Sequence, residues 1–147
     1  MNVSCSKKTA LTSWLQSLTL LAARFWMAKV FFISGLTKIQ SWNTTIALFT
    51  DEYKVPLLAP QLAAYLATTA ELSLPVLLVL GLFTPLAALG LMGMTLVIEL
   101  FVYPGTAEHY YWLIILSIIL THGSGKFGAD HMLRRFWTYP AKKAFAL

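Results

Sequence analysis

Apolar runs long enough to cross a lipid bilayer make up most of this chain, and they restrict its fold more than any other feature. A bilayer core about 30 Å thick needs roughly 20 helical residues at about 1.5 Å of rise each. With no water in that core, a crossing segment must satisfy its own backbone polar groups, which an α-helix does. The chain has 147 residues, 58% hydrophobic and 12% charged, against about 45–50% and 25% for an ordinary soluble domain. It reads as an all-α integral membrane four-helix bundle, with no room for a separate soluble domain.

The spans fall at 13–37, 61–82, 85–103 and 110–122. Pro75 lies inside the second, where membrane helices tolerate a kink. Phe83, Thr84 and Pro85 form a tight connection, and Pro104 with Gly105 ends the third span. Between the first two spans, Trp42, Ile46 and Phe49 recur at helical spacing, with Asn43, Thr44 and Asp51 off that face. This predicts a short interfacial helix, ended at Val55 before Pro56. Ala87, Ala88, Gly90 and Gly93 give the third span a small face suited to close helix packing. Tyr110, Tyr111 and Trp112 read as an aromatic belt or as a platform on which a ring can stack.

The net charge of +5 is carried mostly at the two ends. Lys7 and Lys8 precede the first span; Lys126, Arg134, Arg135, Lys142 and Lys143 follow the last. An even number of spans puts both termini on one side, and the basic tails place that side in the cytoplasm, at the inner membrane of a bacterium. Nothing resembles a basic face built for nucleic acid. Cys5 is the only cysteine, so no disulfide or thiolate metal cage forms within one chain. The first run is too long for a cleaved signal and reads as a retained helix.

Arg24, Lys29, Glu71 and Glu99 lie inside the spans. A lone charge at mid-membrane costs at least about 2.5–3.5 kcal/mol, so such residues pair, line a wet cavity or handle a substrate. Counted inward from Trp14 and Gln61, Arg24 and Glu71 each lie roughly 15 Å deep. Lys29 and Glu99 share a level nearer the outside, which suggests two stacked pairs, Arg24 with Glu71 and Lys29 with Glu99. Lys29 can instead snorkel without pairing. The pairs can simply fasten helices, or border a polar pocket for a head group, quinone ring or small anion. His109, His122 and His131 are spread along the chain, and neither haem nor metal is expected.

Several segments resemble the DoxX family of small four-helix membrane proteins: Arg24 followed by FFISGLTK at 31–38, EYKVP at 52–56, AEL at 70–72, LLVLGLFTP at 77–85 and HGSGKFGAD at 122–130. Pro85 stands where the family often has Arg. Residues 13–126 would form the DoxX-like domain, between a cytoplasmic tail at 1–12 and a basic cytoplasmic tail at 127–147. The resemblance implies a membrane subunit linked to quinone-dependent redox systems.

Two functional readings follow. In the first, the bundle binds a quinone or similar carrier for a partner oxidoreductase subunit. Arg24, Glu71, Lys38, Lys29 and Glu99 supply its polar groups, and Trp26 and Trp112 its ring contacts. Lys38 also has the simpler role of an interfacial anchor. In the second, the protein is a non-catalytic scaffold or assembly factor whose intramembrane pairs are structural. A transporter or channel is a third option and would need a homo-oligomer to enclose a path. Membrane lipids are partners in every case, nucleic acid in none, and nothing in the residues decides whether the chain is an enzyme.

Overall fold

The computed structural model describes residues 3–133, with side chains from Leu11 onward. The tail residues Arg134, Arg135, Lys142 and Lys143, and the side chains of Cys5, Lys7 and Lys8, lie outside the described residues. Along the described residues run α1 (Val3–Gln40), α2 (Trp42–Leu48), α3 (Pro60–Leu80), α4 (Thr84–Val97) and α5 (Ala107–His122), with residues 129–133 helical as well. Wide π-helical turns extend two of them, Phe49–Tyr53 after α2 and Ile98–Val102 after α4. Among the described residues, three stretches are long and apolar enough to cross a membrane: Leu11–Gln40, Pro60–Leu80 and Thr84–Val102. At 16 residues, α5 rises about 24 Å, and the strap formed by residues 123–130 continues from its end.

The long helices pack in the cyclic order α1, α3, α4, α5 and back to α1. Their core lies toward the strap end, where Met27, Leu78, Leu91, Leu116 and Ile119 are fully buried around Ala87 and Ala88. Small residues set the spacing. A Cβ on Gly35 would stand 2.9 Å from Leu72 Cδ2, and one on Gly90 would stand 2.7 Å from Leu74 Cδ1. The α1–α3 and α3–α4 contacts are therefore close at these points. Gly93 faces open space, so the small face of α4 is used at Ala87, Ala88 and Gly90 only.

The predicted helix between the first two spans is present as α2 and its π-turn. Phe49 packs on Ala63 and Ala64 of α3, flanked by Trp42 and Tyr53. Trp42 also meets Tyr65, with ring centroids 4.6 Å apart. Thr45, buried on the same face, donates to the Lys38 carbonyl at 2.8 Å and ties α2 to the end of α1.

The strap closes the opposite end. Asp130 accepts from the amides of Phe83 and Thr84, both at 2.9 Å, and its own amide donates to the Gly81 carbonyl at 2.8 Å. It thus caps α4, whose first amides have no intrahelical acceptor. Gly81 has φ +67°, and a Cβ there would overlap Gly128 and Arg24. Two backbones cross here at a separation only glycine permits. Lys126 adds a hydrogen bond to Ser13 and lies 5.1 Å over the Trp14 ring.

The α1–α3 register corrects the expected depths. Ser34 and Gly35 of α1 lie against Glu71, while Arg24 lies against Gly81 at the far end of α3. Arg24 is therefore at the strap end of the bundle, not level with Glu71. The cause is the length of α1. At 38 residues it spans roughly 57 Å and runs well beyond the end of α3. Trp14 therefore does not mark the depth at which the bundle begins.

Candidate functional site

A cavity of about 470 Å³ opens between the helices at the α2 end. Its walls are mostly apolar: Val30 and Phe31 of α1, Ala63 and Ala67 of α3, Met94 and Val97 of α4. Phe31 lines it and meets Trp112, also in the lining, edge to face, with ring centroids 5.6 Å apart. Two polar groups interrupt this surface, one contributed by α1 and α3, the other by α4 and α5. Since α1–α3 and α4–α5 are opposite sides of the cyclic bundle, the polar groups stand on facing walls.

On the first wall, Lys38 Nζ donates to Glu71 Oε2 at 2.7 Å, Glu71 Oε1 at 2.9 Å and Ser34 Oγ at 2.9 Å. Ser34 Oγ donates in turn to Glu71 Oε1 at 3.3 Å. Ser34 and Lys38 are one helical turn apart, so both point to one face. The close approach at Gly35 brings that face onto α3. Pro75, four residues after Glu71, lacks the N–H that would bond the Glu71 carbonyl; the α3 backbone is thus relaxed at the residue whose side chain reaches the cavity.

On the second wall, His109 Nδ1 and Glu99 Oε2 are 2.7 Å apart, and the Gly105 amide donates to Glu99 Oε1 at 2.7 Å. Glu99 lies in the π-turn that ends α4, a form of helix often met at functional sites. Glu99 and His109 lie ten residues apart across the Pro104–Gly105 turn, so the short connection itself brings them together. His109 lines the cavity and stacks obliquely on Trp112 at 5.1 Å. At the rim, Tyr103 Oη donates to Glu52 Oε1 at 2.6 Å, joining the two π-helical regions. This bond, aided by partial burial, holds the Tyr103 phenol well above the usual tyrosine range.

The structure brings together Lys38, Glu71 and Trp112, with Glu99 supporting them through His109. Arg24, Lys29 and Trp26 lie elsewhere, and neither expected pair forms: Glu71 binds Lys38, and Glu99 binds His109. Trp26 is exposed on the outside of the bundle. Lys29 borders a separate lateral groove with Phe25, Pro75 and Val79. That groove lies in the strap-side third of α3, within snorkelling reach of the membrane surface. Arg24 is fully buried beneath the Gly81–Gly128 crossing, and its guanidinium has no hydrogen-bond partner among the described residues. Asp130 is the opposite charge acting on it.

Sequence reasoning missed Ser34, His109 and Tyr103. For Ser34 the signal was its four-residue spacing from Lys38; for His109 it was the short turn back to Glu99. His122 and His131 border a polar cleft of about 420 Å³ beside the strap, while His109 lies at the other end of the bundle.

A family model described as DoxX matches residues 19–104. An uncharacterized protein from Haemophilus influenzae is 31% identical, the match covering 84% of this chain and 87% of the relative. No solved structure matches the chain.

Proposed function

The chain belongs to the DoxX family, and from that premise we propose that this multi-pass membrane protein binds a quinone or similar lipid-soluble carrier on behalf of a partner oxidoreductase. One observation carries the reading: an apolar cavity of about 470 Å³ in which Lys38–Glu71 and His109 face each other beside Trp112. Binding sites for small organic molecules combine apolar walls with a few placed polar groups. A flat aromatic head bearing oxygen substituents matches that combination, with Phe31 and Trp112 against its face or edge. The basic residues at both chain ends favour an orientation with the termini in the cytoplasm, which would turn the cavity toward the outer face of a bacterial inner membrane.

The chain's residues would bind and orient the head, with the Glu71 carboxylate and the His109 imidazole as the groups able to accept its protons; electrons would pass to or from the partner. The test is the quinone content of lipid extracts from protein purified in mild detergent. Wild type is compared with Met94→Trp, which fills the cavity, and with Trp26→Leu on the exposed outer surface. Enrichment in wild type and Trp26→Leu, lost in folded Met94→Trp, supports the site. Equal quinone in all three would sink the proposal.

A scaffold role has one observation in its favour: all three Lys38 N–H donors are spent within the bundle. In that case Met94→Trp leaves lipid content unchanged, and loss of Lys38 lowers only the amount of folded protein.

A further inference from the structure

The hydrogen-bond inventory of the two polar walls is lopsided. Lys38 has three N–H donors, and Ser34 Oγ with the two Glu71 oxygens takes all three. The Ser34 hydroxyl is spent on Glu71 as well. On the facing wall, His109 Nδ1 is engaged by the Glu99 carboxylate, whose other oxygen is held by the Gly105 amide. The neutral tautomer that donates from Nδ1 carries a bare lone pair on Nε2. Of the roughly four lone-pair sites of the Glu71 carboxylate, both on Oε1 are taken by Lys38 and Ser34 and one on Oε2 by Lys38, so Oε2 keeps acceptor capacity. Tyr110 is also hydrogen-bonded to Glu99, so both charged walls are short of free donors and each keeps one acceptor, Glu71 Oε2 on the first and His109 Nε2 on the second.

From this accounting we infer that the cavity is built for the reduced, dihydroxy form of an aromatic carrier, a hydroquinone, whose ring hydroxyls donate to His109 Nε2 and to the Glu71 carboxylate. The inference rests on the quinone-class reading of the same cavity and specifies which redox form the site prefers. A quinone carries two carbonyl acceptors and no donor, so on these walls it meets lone pairs with lone pairs. A hydroquinone reverses that at both ends. Trp112 can offer one neutral donor from the wall, whereas the Tyr53 hydroxyl is engaged with Tyr103. Bonds to a carboxylate are roughly twice as strong as neutral ones, so the acceptors decide the preference. Tyr103 does not alter the balance, because its proton goes to Glu52.

The experiment is anaerobic equilibrium dialysis of the full chain in mild detergent against three probes sharing one ring: a short-chain benzoquinone, its hydroquinone and the hydroquinone dimethyl ether. The ether keeps the ring and its oxygens and removes both donors. The expected result is hydroquinone binding at least about tenfold tighter than either of the others. His109→Phe should bring hydroquinone affinity down toward that of the quinone. Quinone binding as tight as hydroquinone, or ether binding equal to it, overturns this inference and leaves the quinone-class site standing. Absence of binding by all three probes overturns both. Because the wild-type comparison decides by itself, a His109 variant that fails to fold does not weaken the test.

Discussion

A single carboxylate illustrates how strongly the cavity depends on its pairings. Glu71 is only 3% exposed, and its Lys38 partner 15%. Removing one member leaves the other buried without a counter-charge, which typically costs 3–5 kcal/mol, whereas replacing both with apolar residues is often nearly neutral. Lys38→Met and Glu71→Leu should therefore each destabilise the folded protein by about 3 kcal/mol, and the double variant by much less than their sum. Thermal unfolding of the four proteins in one detergent measures the coupling; additive losses would mean the pair contributes nothing as a pair. The sequence pointed to Glu71 as a residue that had to be satisfied, because a charge in an apolar run needs a partner. It did not point to which partner, since depth counted along a helix is only as good as the residue chosen for zero. Arg24 shows the same error from the other side: its burial was legible, its place beneath Gly81 and Gly128 was not.

Among the elements, the helices were the most legible part, because twenty-residue apolar runs leave little choice of conformation. The two π-turns were not legible. Nothing in FTDEY or IELFV marks a wider turn, and yet one of them carries Glu99 to His109. The Asp130 cap was visible only as part of a family pattern, since residues 46 and 47 positions earlier in the chain donate the hydrogen bonds. Removing it makes a clear test. Asp130→Ala should cost about 1–2 kcal/mol, as loss of a helix cap does. Hydrogen exchange at the Phe83 and Thr84 amides should speed up about tenfold, the factor matching 1.4 kcal/mol. Unchanged exchange at those amides would show that the strap does not hold the start of α4.

On the scale of the whole molecule, the rim of the cavity is held by the Tyr103–Glu52 bond between regions far apart in sequence. The folded-state pKa of Tyr103 lies above its usual value. Its contribution to stability is therefore whole below the free-phenol value near 10 and fades only as pH climbs through the folded value. Ultraviolet titration should show a late-ionising phenol component, and Tyr103→Phe should reduce it. A late component unchanged by Tyr103→Phe would place the rim bond outside the folded state in solution.

The fully packed core between cavity and strap has a consequence for traffic. Met27, Leu78, Leu91, Leu116 and Ile119 leave no open route from the cavity floor to the strap end. The chamber is a cul-de-sac: whatever enters on the α2 side departs on that side. With that core packed, a guest of a single bundle exchanges on the α2 side.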